Sequence, residues 1–135
     1  KSSGWLALGG DSRTAHYTLD GANAPAPAPL ALSQKFKIVF LTPAYFKDGW
    51  APSDWGKWLP PGARLVAAAV KRPIAIGGRD VARNYPKPNR RFVPAGSVYF
   101  FECDQPTQFA GTAITEEDYE QIGFGQIITG GWDYV

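Results

Sequence analysis

The sequence of 135 residues predicts a single loop-rich domain of the α+β class. Apolar residues make up 44% of the chain, enough to bury a core without disulfides or metals. Fifteen glycines and twelve prolines indicate many turns. Segments with the period of a β-strand are interspersed with segments that suit short helices, in the order strand, helix, strand, strand, helix, strand.

Residues 1–33 are assigned to an N-terminal segment. Gly4–Leu8 predicts a short strand that enters a turn at Gly9 and Gly10, and the alternating Pro and Ala of residues 22–29 are typical of a linker. The chain contains no methionine and starts with a lysine. We therefore expect it to be part of a longer protein, with residues 1–33 belonging to the missing first half.

Residues 34–135 are assigned to the domain itself. Gln34–Leu41 predicts the clearest strand, because its apolar and polar residues alternate. Residues 45–61 carry three tryptophans among Gly, Pro and Asp, which predicts a compact loop or a short helix held by aromatic burial. Residues 64–70 predict a second strand, and 74–76 continue it to a turn at the adjacent glycines 77 and 78.

The second half of the domain follows the same pattern. Residues 83–88 indicate a proline-broken basic stretch, and Ser97–Cys103 predicts a central strand because both of its faces are apolar. Thr115 is predicted to cap a helix that ends at Gly123, with Tyr119 and Ile122 facing the core. A last strand at 126–135 completes the order βαββαβ. That order predicts a ferredoxin-like (RRM-like) fold.

The basic residues are concentrated in one segment. Asp80 is the only acid between Arg64 and Arg91, whereas the stretch from Glu102 to Val135 has seven acids and neither Lys nor Arg. The basic residues of the segment are Arg64, Lys71, Arg72, Arg79, Arg83, Lys87, Arg90 and Arg91. This asymmetry favours a surface for a polyanion such as nucleic acid, and a solvated cationic face without a ligand is the alternative. All of these cations except Arg64 are candidate RNA contacts.

Residues typical of catalysis are scarce. His16 is the only histidine and Cys103 the only thiol, and they lie far apart in the chain. His16 alone could serve as a general base in RNA cleavage. The inventory cannot supply a standard zinc site, and the acids of 116–120 are explained by the start of a helix. No cofactor or metal is therefore expected. With one cysteine, no signal peptide and no apolar run of transmembrane length, we expect a cytoplasmic protein.

Glycine turns beside cations are a second indication of phosphate binding. Backbone N–H groups in such turns can point at phosphate oxygens. Arg13 follows the Gly9-Gly10 pair, and Arg79 follows Gly77-Gly78. Tyr85 and Phe92 lie among the arginines, where they serve either as stacking platforms for single-stranded RNA or as core residues.

Several motifs together resemble one family. They are Leu8-Gly9-Gly10, Leu41-Thr42-Pro43-Ala44, Gly49-Trp50, Arg72-Pro73, Gly77-Gly78-Arg79-Asp80, Pro86-Lys87-Pro88, Val93-Pro94-Ala95-Gly96-Ser97-Val98-Tyr99-Phe100-Phe101 and Gly123-Phe124-Gly125. The chain resembles the third subunit of the type III-B (Cmr) CRISPR effector, a member of the RAMP superfamily. The string from Val93 to Phe101 is the most specific element, and Gly123-Phe124-Gly125 matches the glycine-rich loop of RAMP proteins.

The resemblance implies a role for the chain. It would be the C-terminal RAMP domain of a non-catalytic subunit that grips the 5′ tag of the crRNA. This subunit would contact the large polymerase-like subunit and neighbouring RAMP subunits. By position, the implied RNA contacts are Gly9, Gly10, Arg13, Gly77, Gly78, Arg79, Gly123, Phe124 and Gly125. Arg79 stands where an aromatic residue is expected in the family motif.

Two other functions are weighed against this one. The first is a metal-independent CRISPR endoribonuclease, like the guide-processing members of the same superfamily, with His16 as general base. The second is a sugar-binding module, suggested by five tryptophans and six tyrosines. The tryptophans cluster in a Pro/Gly loop that indicates packing, and a sugar site leaves the cationic stretch unexplained.

Overall fold

The computed structural model describes residues 2–7, 13–19, 30–80 and 82–134. Within them lie ten β-strands and two short 3-10 helices, at Trp55–Lys57 and Glu117–Ile122. The strands are β1 (Ser2–Ala7), β2 (Thr14–Leu19), β3 (Leu30–Leu32), β4 (Lys35–Phe40), β5 (Arg64–Ala69), β6 (Ile74–Asp80), β7 (Tyr85–Phe92), β8 (Val98–Glu102), β9 (Thr107–Phe109) and β10 (Ile127–Gly131). No helix in the described part of the chain is long and apolar enough to cross a membrane.

The strands form four antiparallel sheets. The largest has four strands in the order β10-β4-β8-β5, and the pairs β1-β2, β3-β9 and β6-β7 form two-stranded sheets. The predicted strands at 34–41 and 97–103 correspond to β4 and β8. The prediction that β8 is central is confirmed, since β8 pairs with β4 on one side and with β5 on the other. The predicted domain boundary between residues 33 and 34 stays a prediction.

The core lies on one face of the four-stranded sheet. Phe36, Ile38 and Phe40 alternate along β4 and are fully buried, as a period of two requires. Across the ladder, Ile38 lies opposite Tyr99, and Phe36 stacks on Phe101 with ring centroids 5.3 Å apart. These aromatic and branched pairs hold β4 and β8 together.

The tryptophan-rich loop covers this core. Trp55 contacts Phe101 edge to face at 4.9 Å and Phe46 at 5.8 Å. The Asp54 side chain accepts a hydrogen bond of 2.7 Å from the Gly56 amide and so caps the first 3-10 helix. The predicted loop or short helix held by aromatic burial is therefore what the structure contains.

The predicted α+β ferredoxin-like (RRM-like, RAMP) βαββαβ fold class is wrong. The described residues are mostly strand, and none of their helices reaches seven residues. The segment that covers the core at 45–61 is interrupted by prolines and glycines, so only three of its residues are helical. Packing of large aromatic side chains replaces the packing of helices.

The predicted C-terminal helix is not formed, because a contact with a distant part of the chain occupies its predicted cap. The Thr115 hydroxyl does not cap it, because this group accepts the Tyr45 amide at 3.0 Å and donates to the Tyr45 carbonyl at 3.2 Å. Glu117 then has φ +56°, which no α-helix accommodates. Six residues of 3-10 helix end at Gly123 in the left-handed conformation, as predicted. Ile122, which was expected in the core, is 68% exposed.

The alkaline stability of the fold depends on Tyr99. Its hydroxyl is buried and donates to the Trp50 carbonyl oxygen, and burial raises the pKa of Tyr99. Stability from this group is therefore present below the ordinary tyrosine pKa of about 10 and decreases as the pH rises beyond it. We expect Tyr99→Phe to lower the free energy of unfolding by about 1 kcal/mol near neutral pH. As the pH rises into the alkaline range, the stability of this variant should fall less steeply than that of the wild type. Parallel alkaline unfolding curves for the two proteins would contradict this account.

Candidate nucleic-acid interface

Apart from Arg64, which lies on β5, the exposed cations of the predicted segment lie on one hairpin and the chain that leads into it. We call β6, β7 and their connecting turn the basic hairpin; it spans residues 74–92. Two of the cations precede β6, two lie in or near the turn, and two lie on β7. They are Lys71, Arg72, Arg79, Arg83, Lys87 and Arg91, and all six are exposed.

A β-bulge shapes the basic hairpin. Ile76 pairs with Arg90 and Gly78 pairs with Lys87, so Gly77 lies opposite two residues of β7. A Cβ atom at Gly77 would meet the Asn89 Oδ1 atom, whereas the Asn89 backbone Cα would be 3.8 Å away. The Asn89 side chain thus occupies the space that a side chain at 77 would take. The predicted turn at glycines 77 and 78 is corrected to a bulge inside a strand.

The prolines of β7 are accommodated at a free edge. Pro86 and Pro88 were expected to interrupt the regular structure of the stretch, yet both lie inside β7. They are two residues apart, so their missing N–H groups lie along the same edge, and β7 pairs with a neighbour on only one side. An edge without these donors is protected from pairing with another strand.

The turn of the basic hairpin has a net positive charge, because Arg79 and Arg83 outnumber Asp80. Asp80 accepts a 3.1 Å hydrogen bond from the Arg83 amide, so the one acid of the hairpin is engaged with the backbone. The Arg79 guanidinium donates twice to Asn84 Oδ1, at 3.1 and 2.6 Å. The partner is a neutral amide. Arg79 is therefore oriented and keeps its full charge.

A groove of about 210 Å³ lies against one face of the basic hairpin. It brings together the two glycine motifs that are distant in the sequence. From the hairpin it is lined by Ile76, Gly77, Gly78, Arg79, Lys87, Pro88 and Phe92, and from the C-terminal third by Tyr119, Ile122 and Phe124. Two cations and two side-chain-free glycines on one side make this face accessible to a phosphate backbone.

Aromatic side chains form the floor of this groove. Phe92 is buried and contacts Tyr119 at 5.0 Å, Phe124 at 5.1 Å and Tyr45 at 5.5 Å between ring centroids. Of the two open interpretations of Phe92, the structure therefore places it in the core. Tyr85 is 68% exposed at the turn end of the hairpin and is available for stacking.

The Gly123-Phe124-Gly125 loop holds the floor in place. Its three amide groups donate to the carbonyl oxygens of Glu120, Tyr119 and Pro43, at 3.0, 3.1 and 2.7 Å. Gly125 is buried with φ +71°, and a Cβ atom there would lie 2.5 Å from the Ile114 carbonyl oxygen. The loop contributes Phe124 to the groove, while its three N–H groups are engaged by carbonyl oxygens of the protein.

Arg90 differs from the other cations of the segment. It forms a 2.5 Å ion pair with Glu117, and its guanidinium lies 4.9 Å from the centroid of the Tyr45 ring. The hydrogen bond to Glu117 raises the pKa of Arg90. Consecutive residues of a strand point to opposite faces, so Arg91 lies on the other face of the hairpin. Arg90 therefore fastens the hairpin to the acidic segment instead of standing free.

The remaining predicted residues lie elsewhere. Gly9 and Gly10 fall outside the described residues, and Arg13 is exposed just before β2. His16 is exposed on β2, with its ring 4.9 Å from Trp5, whereas Cys103 is buried after β8 and burial raises its pKa. Within residues 2–7, 13–19, 30–80 and 82–134, no three His, Cys, Asp or Glu side chains converge as metal ligands.

One residue of functional interest was missed by sequence reasoning. Trp50 was assigned to packing, but its side chain is 55% exposed and lines a second cavity, of about 250 Å³, on the other side of the basic hairpin. Lys71 and Arg91 line the same cavity. Gly49-Trp50 is one of the motifs that resemble the family, and this was the signal that could have identified it.

The described residues define a mostly β protein with a cationic, bulged hairpin over an aromatic groove. Comparison with protein families gives a match to the family described as CRISPR-associated protein (Cas_Cmr3) over residues 1–132. The chain belongs to this family, and it is thus a type III-B Cmr subunit of a multi-subunit complex in CRISPR defence. The resemblance seen in the sequence is confirmed. No curated protein matches the chain.

Proposed function

We propose that this chain binds RNA without cleaving it and holds the 5′ tag of the crRNA in the Cmr complex. The observation that supports the proposal most is the clustering of six exposed cations on the basic hairpin and the segment before it. Each can neutralise one phosphate, and their joint field attracts a flexible polyanion. Membership of a CRISPR-associated family supports RNA as the polyanion.

The groove explains how a strand would be held. Arg79 and Lys87 stand at its hairpin side, and the glycines at 77 and 78 allow the phosphate chain to approach the backbone closely. The acidic side chains Glu117 and Asp118 border a neighbouring hollow together with Lys87. Glu117 is paired with Arg90, so it is repulsion by Asp118 that would keep the RNA on the hairpin side.

Contacts with other subunits belong to the same proposal. The large polymerase-like subunit and neighbouring RAMP subunits would pack against this chain, and the acidic C-terminal third offers a surface for a basic partner. From residue 102 onward the chain has acids and no basic residue. Charge reversal at 116, 117 and 120 that leaves assembly unaltered would argue against that surface.

The proposal is tested by equilibrium binding of single-stranded RNA across a range of salt concentrations. With six phosphate contacts, the log–log slope of the association constant against salt should be about −4. The RNA should be recovered uncleaved, and His16→Ala should bind with the affinity of the wild type. A slope near zero would argue against binding through phosphates. Cleavage that disappears in His16→Ala would favour the endoribonuclease.

Releasing Arg90 provides a second check. Glu117→Gln removes the carboxylate that neutralises Arg90, so the basic hairpin gains one unit of uncompensated positive charge. We expect RNA affinity to rise about fivefold at roughly 0.1 M salt, with a slope steeper by about 0.7. Asp118→Asn is the matched control, because Asp118 lies in the same segment and has no ion pair with Arg90. Equal effects of the two variants would mean that Arg90 is not released.

A further inference from the structure

The proposed binding of the RNA phosphate backbone makes no use of the cavity around Trp50. Its walls are apolar residues, Trp50, Val70, Pro73 and Val93, and its rim carries Lys71 and Arg91. No Asp or Glu lines it. An apolar slot with a cationic rim suits a ligand that is flat, apolar on its faces and linked to a negative charge.

The Trp50 ring is fixed in place. Its plane is nearly parallel to that of Tyr99, with an angle of 4° and ring centroids 6.2 Å apart. Tyr99 is fully buried and its hydroxyl donates to the Trp50 carbonyl oxygen, so both the backbone and the ring of Trp50 are held. Trp50 is thus parallel to Tyr99, and it is also 55% exposed and lines the cavity. A rigid, half-exposed aromatic ring is the usual platform for an unpaired base.

The floor and the rim of the cavity are also organised. Val93 is buried, and it exchanges backbone hydrogen bonds of 2.9 and 2.8 Å with Ala44. Gly49 has φ +110° and no atom within 4 Å of a built Cβ, so the entrance beside Trp50 is open. Within the described residues neither Lys71 nor Arg91 forms an ion pair with a carboxylate.

We infer that this cavity takes one unpaired nucleobase of the bound RNA, stacked on Trp50, while Lys71 and Arg91 bind the adjoining phosphates. The inference rests on the proposed function and adds a base subsite on the opposite face of the basic hairpin. A base stacked on indole is accepted whatever its identity, so the subsite holds the strand without reading its sequence.

The test measures binding of a short, unstructured single-stranded RNA in which one nucleotide at a time is replaced by an abasic residue. Trp50→Ala should weaken binding of the intact RNA about tenfold at an unchanged salt slope, and Trp50→Phe should retain most of the affinity. One abasic position should cost the wild type the same factor and cost Trp50→Ala nothing. Lys71→Gln and Arg91→Gln should instead each reduce the slope by about 0.7.

Controls separate the possible failures. Trp5→Ala removes another exposed tryptophan, from the β1-β2 hairpin, and should bind as the wild type does. Thermal unfolding of each variant shows whether it is folded. If Trp50→Ala is unfolded, the abasic series is measured with Trp50→Phe instead. If the wild type binds RNA but no abasic position couples to Trp50, the cavity is not a base subsite and the proposed function stands. If the wild type binds no RNA, both proposals fail.

Discussion

Neutralising four cations of the basic hairpin segment should weaken RNA binding several hundredfold at about 0.1 M salt. The combined variant carries Arg72→Gln, Arg79→Gln, Arg83→Gln and Lys87→Gln. Each removed phosphate contact lowers the magnitude of the salt slope by about 0.7, so the slope should fall by about 2.8. All four side chains are exposed, and glutamine is hydrophilic and similarly long. The free energy of unfolding should therefore change little.

A matched variant distinguishes the site from the overall charge. Lysines outside the basic hairpin are changed to glutamine, so the net charge decreases by the same amount; they are Lys35, Lys37, Lys47 and Lys57. This control should lose less than about tenfold in affinity, because distant charges act only through a screened field. Equal losses in the two variants would mean that RNA binds to charge in general and that the hairpin is no site.

Gly125→Ala should destabilise the fold by more than about 3 kcal/mol. A left-handed backbone costs an alanine about 1–2 kcal/mol. The new Cβ would also lie 2.5 Å from the Ile114 carbonyl oxygen and 2.7 Å from the Thr115 Cβ, where Gly125 is buried. The backbone must move to relieve this overlap, and the hydrogen bond from the Gly125 amide to the Pro43 carbonyl would weaken. Denaturant unfolding at fixed pH measures the loss.

Gly123 provides the control for this prediction. It has φ +86°, close to that of Gly125, but a Cβ atom there meets nothing within 4 Å. Gly123→Ala should therefore cost about 1 kcal/mol, which is the conformational term alone. If the two variants are equally stable, close packing is not what requires glycine at 125.

The strands with alternating apolar residues could be predicted from the sequence. β4 and β8 have this pattern because one face of each is buried, and their lengths allow the period to repeat. β3 and β9 have three residues each, too few to establish a period, and they were missed. β2 was missed as well, because its residues are mostly exposed and carry no burial pattern.

The fold class could not be predicted because neither segment expected to be helical forms an α-helix. Prolines and glycines limit the first to three helical residues, and a tertiary contact overrides the local propensity of the second. Thr115 has the sequence of an N-cap, but its hydroxyl is engaged by the backbone of Tyr45, which is distant in the chain. The charge cluster was predictable, since charge is a property of composition. The meeting of Gly77 and Phe124 at one groove depends on the packing of separate segments and leaves no local signal.

The most direct test is photocrosslinking of single-stranded RNA to the full chain, with mass-spectrometric mapping of the modified peptides. We expect adducts within residues 71–92, including the exposed Tyr85. Lys37 and Trp132 lie away from the basic hairpin, at the four-stranded sheet, where Lys37 is on β4 and Trp132 contacts Phe100 of β8. Adducts confined to those two residues, with residues 71–92 unmodified, would contradict the claim that the basic hairpin holds the RNA.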